Sequence, residues 1–213
     1  MKRFCKVAAL TIAALISASL APARAADDAG TLLASSVQKA AANVTSFRMT
    51  LSGAQSVSST MVVVRPDRVK SNMSFGPVTT ETVIVGSTSY TRINGGQWLV
   101  SKMQNITDFA NQWSATLAKQ TTYTLLPDRV EAGVTYGAFS TTTDSSAVMP
   151  AAGTTTPAAA PLTMQCTYDK VTYLMHVCTL QPPGAPFPMT LTYSAWNDPQ
   201  NVVDVPADAP ANK

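Results

Sequence analysis

Ser46-Phe47-Arg48-Met49-Thr50-Leu51 marks the point where the chain changes its period. Phe47, Met49 and Leu51 alternate with Arg48 and Thr50, the two-residue repeat of a strand with one apolar face. Upstream, Asp27 to Val44 places Leu32, Leu33, Val37, Ala40, Ala41 and Val44 at helical spacing behind the capping candidates Asp27 and Asp28. One amphipathic helix therefore precedes the strand, and its apolar stripe needs a sheet to lie on. Downstream, Gly53 and a Ser-rich turn lead to a strand at Met61 to Val64, and Arg65-Pro66-Asp67-Arg68 reads as a turn because Pro sets φ and Asp caps the bend. Val69, Met73 and Phe75 continue as a strand up to Gly76-Pro77. Val78 to Val85 and Ser87 to Ile93 follow, divided by Gly86, and Asn94-Gly95-Gly96-Gln97 is a hairpin signal before Trp98 to Met103. The reading is an antiparallel meander of about six strands.

Beyond the meander, Asn105 to Asp108 can start a second helix, with Phe109, Trp113 and Leu117 spaced along one edge. Strand character resumes at Tyr123 to Leu126, Val130 to Val134 and Tyr136 to Thr142, around Pro127-Asp128. Thr143 to Pro161 is rich in Ala, Thr, Ser and Pro and too poor in large apolar residues to pack, so it reads as a flexible loop within one domain of 26–213. Met164 to Asp169 and Met175 to Leu180 form a hairpin around Val171-Thr172-Tyr173. A Pro-rich turn, a strand at Met189 to Tyr193 and a run Val202-Val203-Asp204-Val205-Pro206 close the chain, the last read as a possible edge strand.

Composition sets the compartment. Residues 1–25 show a basic start (Lys2, Arg3, Lys6), an apolar run from Val7 to Leu20 and the small-residue site Ala23-Arg24-Ala25, the pattern of a cleaved signal peptide. The apolar run is too short for a spanning helix. The leader resembles those of Gram-negative bacteria, so the expected destination is the periplasm, and Cys5 lies too early to serve as a lipid-anchor cysteine. Removing Lys2, Arg3, Lys6 and Arg24 from the fifteen Lys and Arg leaves eleven against twelve acidic residues. The net charge of +3 thus belongs to the leader, and no phosphate-tracking basic stripe points to nucleic acid. Two cysteines remain, Cys166 and Cys178, placed to bridge the hairpin in an oxidising compartment.

Catalytic and metal motifs are missing. His176 is the sole histidine, with no His-Glu-x-x-His, Cys-x-x-Cys or Asp-rich calcium loop beside it, so no metal site and no cofactor is expected. There is no Gly-x-Ser-x-Gly elbow, no Gly-x-x-x-x-Gly-Lys loop and no Gly-x-Gly-x-x-Gly. The acids Glu81, Asp128 and Glu131 carry no spacing that would pair them. The chain reads as a binding protein, not an enzyme.

What the strands do offer is apolar alternation. Met49 with Leu51, Met61 with Val63, Met73 with Phe75, Val83 with Val85, and Trp98 with Val100 would converge on the concave face of a curved sheet. Phe109, Trp113 and Leu117 of the second helix would oppose them. The three strand methionines add a polarizable, adaptable wall. Arg48 or Arg92 is a candidate for meeting a head group at the mouth.

The order of helix, long meander, crossing helix and further strands resembles the periplasmic lipoprotein-carrier fold. The residues that carry the resemblance are Ser46 to Leu51, Arg65-Pro66-Asp67-Arg68, Tyr90 to Trp98, and Tyr193-Ser194-Ala195-Trp196-Asn197-Asp198-Pro199. That superfamily takes in the lipoprotein-sorting carriers and receptors, the mycobacterial lipid-carrying lipoproteins and the periplasmic regulators of the envelope-stress sigma factor. The resemblance implies an incomplete barrel closed by helices around an apolar cavity for acyl chains. The expectation is an α+β protein, a curved antiparallel sheet with helices over its concave face, which carries a lipid or an acylated protein. The alternative is an envelope-stress regulator or assembly module that binds a membrane-bound protein partner through the same fold.

Overall fold

The computed structural model describes residues 22–53, 57–102, 123–144, 161–181 and 188–210. One helix, α1 (Pro22–Ala42), precedes eleven strands. The first six are β1 (Ser46–Ser52), β2 (Val57–Val64), β3 (Arg68–Phe75), β4 (Val78–Val85), β5 (Thr88–Ile93) and β6 (Leu99–Lys102). The remaining five are β7 (Tyr123–Glu131), β8 (Val134–Asp144), β9 (Pro161–Asp169), β10 (Met175–Leu180) and β11 (Met189–Ser194). All belong to one antiparallel sheet ordered β6-β5-β4-β3-β2-β1-β11-β10-β9-β8-β7. Two meanders, β1–β6 and β7–β11, thus join along a single seam between β1 and β11. The sheet is curved and does not close, so the architecture is α+β, an incomplete barrel with α1 on its concave face.

The turns of the first meander fall where Gly, Pro and Asn predict them. Gly76, Gly86, Asn94 and Gly95 all have positive φ, at 55°, 60°, 49° and 68°, so the chain reverses within two residues at each. The second meander departs from expectation. Pro127-Asp128, around which two separate strands are expected, lies inside β7 as an irregularity between Leu126 and Arg129. A bulge accommodates a Pro because the unpaired position needs no N–H. The actual reversal is Ala132-Gly133, with φ of 50° and 82°, inside the run expected to be strand.

α1 begins at Pro22, upstream of the expected cap at Asp27 and within the stretch read as the end of the leader. Proline suits a first helical turn, where its missing N–H has no partner to lose. At the other end, the Arg65 guanidinium donates to the carbonyls of Ala41, Ala42 and Val44 at 3.4, 3.4 and 3.0 Å. A cation there satisfies terminal carbonyls and complements the helix dipole. Leu33, Ala34, Val37 and Val44 pack from the helix side into the main core with Phe47, Tyr123, Phe139, Leu162 and Met164. Gly30 is the point of closest approach: a Cβ there would fall on the carbonyl oxygen of Tyr123 in β7. Only glycine lets the helix lie directly on that strand.

The quoted motifs meet at the seam. β1 pairs with β11, Met49 opposite Tyr193 and Leu51 opposite Leu191. Phe47 packs against Trp196, ring centres 5.2 Å apart, and Trp196 stacks on Tyr193. Asn197 accepts from the Thr45 N–H at 2.7 Å and the Thr45 hydroxyl at 3.0 Å, while Asn201 donates to the Ser46 hydroxyl at 3.0 Å and the Ala195 carbonyl at 2.6 Å. The helix-to-strand junction is therefore locked by the C-terminal motif. Cys166 and Cys178, directly opposite each other on β9 and β10, form the expected disulfide.

Past that junction the chain forms no edge strand at Val202 to Val205. The sheet edges are β6 and β7, and the segment joins neither; it crosses the convex face instead. Val203 is buried there with Val83, Tyr90 and Trp98 in a second, smaller core.

Candidate functional site

Register decides which apolar side chains share a surface, because directly opposed residues point to the same face. Starting from Met49 and Leu51, the concave face runs through Met61 and Val63 on β2 and Val69, Met73 and Phe75 on β3. Val69 pairs with Ile84, and Met73 with Thr80, so β4 contributes Val78, Thr80, Thr82 and Ile84 to this face. Val83 and Val85 therefore lie on the opposite, convex side. β5 and β6 follow the same parity, presenting Ser89, Thr91, Ile93, Leu99 and Ser101 to the concavity and Tyr90, Trp98 and Val100 to the convex side.

The expected lining thus divides. Met49, Leu51, Met61, Val63, Met73 and Phe75 are gathered on the concave face, whereas Val83, Val85, Trp98 and Val100 pack on the convex one under the C-terminal segment. Phe109, Trp113 and Leu117 lie outside the described residues. Sequence reading missed the concave residues Ile84, Ile93, Leu99, Leu191 and Tyr193, and also a row of hydroxyls, Ser71, Thr82 and Thr91, that runs side by side across β3, β4 and β5. Charge held the usable signal: Glu81 shares its parity with Val83, and Arg92 shares its parity with Tyr90, marking that side as the one that carries ions.

Burial varies sharply along the concave face. On the β7–β11 side Phe139, Leu162, Met164, Cys166, Cys178 and Leu180 are buried, with α1 in the same core. On the β2–β6 side Val63 and Val69 still belong to that core, but farther along Met73 is 47% exposed, Phe75 64%, Ile93 52% and Leu99 66%. Met49, Leu51 and Met61, partly buried, line the step between them.

No charged side chain of β1–β6 points into the concavity: Arg48, Arg68, Lys70, Glu81, Arg92 and Lys102 all have the other parity, as do Arg129 and Glu131 on β7. The phenols that face inward are neutral as well. Burial pushes the Tyr123 hydroxyl up to about 12 and raises those of Tyr193 and Tyr168. Thr141, on the same face beneath the helix, keeps a buried hydroxyl with no hydrogen-bond partner among the described residues.

The ions are spent on the convex side. Arg92 is held by Glu81 at 2.6 Å and Asp208 at 3.1 Å and lies 4.4 Å over the Trp98 ring, while Trp98 donates its indole N–H to Asp208 at 2.9 Å. Arg68 donates to the Val203 carbonyl at 2.9 Å, and Arg48 donates to Asn201 at 2.9 Å. Neither Arg48 nor Arg92 meets the mouth of the concavity; both fasten the C-terminal segment. Nor do the three acids gather, since Glu81 on β4 binds Arg92 on β5, while in the other meander Asp128 pairs with Lys170 and Glu131 lies 3.2 Å from His176. His176 stacks on Tyr136 with ring centres 4.1 Å apart.

No family model matches the chain, and no curated protein matches it in sequence. Solved structures do. LprF from Mycobacterium bovis superposes with a TM-score of 0.64 at 15% identity, covering 86% of this chain and 98% of its own. The Mycobacterium tuberculosis lipoprotein LppX gives 0.59 at 16% identity, covering 84% and 100%. At such identities the likeness is one of fold, and it extends over the full length of both neighbours. The chain therefore shares its fold with LprF and LppX.

Proposed function

We propose that this chain is a soluble periplasmic binding protein that sequesters or carries a lipid, or the acyl chain of a lipoprotein, without transforming it. The observation that carries this reading is the concave face over β2–β6, which bears no charged side chain on those strands and leaves Met73, Phe75, Ile93 and Leu99 exposed. Apolar surface in that position gains by exchanging water for methylenes, at about 0.8 kcal/mol for each one buried. Met49, Met61 and Met73 supply a wall that adjusts to chain shape. The expected leader, without an anchoring cysteine at its end, supports release into the periplasm, and no described helix is long and apolar enough to cross a membrane.

Native mass spectrometry of the mature protein, purified from the periplasm without detergent and followed by organic extraction, tests the reading. The expected result is a discrete added mass that extracts as lipid. Met73→Glu, which puts a charge on the exposed lining, should lose that mass, whereas Asn72→Glu on the convex side should keep it. An unchanged apo mass after incubation with an acylglycerol, a phospholipid and a lipopeptide would sink the carrier reading. It would favour the protein-docking alternative, for which the exposed Phe75, Ile93 and Leu99 are the surface to probe.

A further inference from the structure

The polar groups of the concave face have a distribution that apolar lining alone does not require. Ser71, Thr82 and Thr91 occupy directly paired positions on three successive strands, forming a hydroxyl band across the exposed half. Ser59 extends it, its hydroxyl 3.5 Å from that of Ser71. Ser89 lies beside the band on β5, and the orphaned hydroxyl of Thr141 lies beneath the helix in the other half. A concave surface meant only for hydrocarbon would gain from Val or Leu at these positions, since unpaired hydroxyls buried by a chain cost free energy.

From this we infer that the concavity takes lipids whose polar part is uncharged and rich in hydrogen-bonding oxygen, such as acylglycerols and other esters or hydroxylated lipids, and discriminates against carboxylate or phosphate head groups laid on the band. The inference rests on the lipid-binding reading above. Hydroxyls both donate and accept, so they match ester carbonyls and free hydroxyls alike. An anion in the same place would lose its water and find no counter-charge on the described strands β1–β6, because the cations nearest in sequence, Lys70 and Arg92, lie on the convex face and are paired there with Glu81. Placing the charges of β1–β6 outside thus acts as a filter on head groups.

Calorimetric titration with two soluble lipids of identical chains, dioctanoylglycerol and dioctanoyl phosphatidic acid, measures the filter. The expected result is at least about tenfold tighter binding of the diacylglycerol, equivalent to ~1.4 kcal/mol. Thr82→Val keeps the shape and should weaken diacylglycerol binding about fivefold, the loss of one hydrogen bond. Thr82→Lys should invert the preference by supplying the missing cation, with circular dichroism confirming that each variant folds. Equal binding of the two lipids, or unchanged preference in Thr82→Lys, would overturn the inference and leave the carrier reading standing. Binding of neither lipid overturns it too, and the mass of the protein as purified then tells whether the carrier reading falls with it.

Discussion

Phe139 and Phe75 both face the concavity, one on β8 and one on β3, yet the first is 0% exposed and the second 64%. The two meanders use the same alternation of apolar and polar residues but are stabilised on opposite faces. β7–β11 bury their concave side against α1, with the disulfide inside that core; β2–β6 add only Val63 and Val69 to its buried residues and bury their convex side against the C-terminal segment. The difference separates stability from binding: one half anchors the fold through the concavity, and the other leaves its share of the concavity for a guest.

Truncation should expose the asymmetry most strongly. Phe139→Ala is expected to cost about 3–5 kcal/mol in chemical denaturation, whereas Phe75→Ala should stay within about 0.5 kcal/mol while weakening lipid retention. Equal losses in the two variants would erase the distinction. Next comes the cross-link, whose removal in a Cys166→Ala, Cys178→Ala double variant opens a loop of 12 residues and should lower stability by about 3 kcal/mol. Gly30→Val asks whether the helix must touch β7: the new side chain would press on the Tyr123 carbonyl, and the expected cost is about 1–3 kcal/mol with loss of hydrogen-exchange protection in α1. A neutral outcome would mean that helix and sheet can separate freely.

The smallest effect belongs to the convex side. Asp208 is held below the ordinary carboxylate value of 3.8, chiefly by the indole N–H of Trp98 and then by Arg92. A depressed folded value means that its contribution is complete above the unfolded value and fades as the pH falls below it. Trp98 emission should therefore shift upon acidification below that point before the far-ultraviolet spectrum changes, and Asp208→Asn should remove the shift. A pH-independent emission in the native protein would show that Asp208 does not set the environment of Trp98.

These contrasts also explain what could be read from the chain itself. The first meander was legible strand by strand because Gly76, Gly86 and Asn94-Gly95 enforce reversals that few other residues permit. Its faces were not, because Val83-Ile84-Val85 is apolar at both parities and only pairing with Val69 decides which side Ile84 takes. Trp98 and Val100 were misassigned for the same reason. Pro127-Asp128 has the composition of a turn, yet a bulge tolerates it equally well. Val202 to Val205 has the composition of a strand, but Val203 is used as a cover over Val83, Tyr90 and Trp98, which composition does not distinguish from pairing. The candidate site was thus half visible: the methionines and Phe75 follow from alternation, whereas the hydroxyl band appears only once neighbouring strands are aligned.

The seam between β1 and β11 has a kinetic meaning. Each meander consists of contacts between neighbours in sequence, but Arg48 meets Ser194 and Met49 meets Tyr193 across most of the chain. Contacts of such separation form slowly. During synthesis the first meander must wait with β1 unpaired on one side until nearly the last residues emerge, and only then can Asn197 and Asn201 fasten the helix junction. The order of the strands therefore keeps the nascent chain incomplete until it is whole, a delay that suits a protein expected to leave the cytoplasm before it folds.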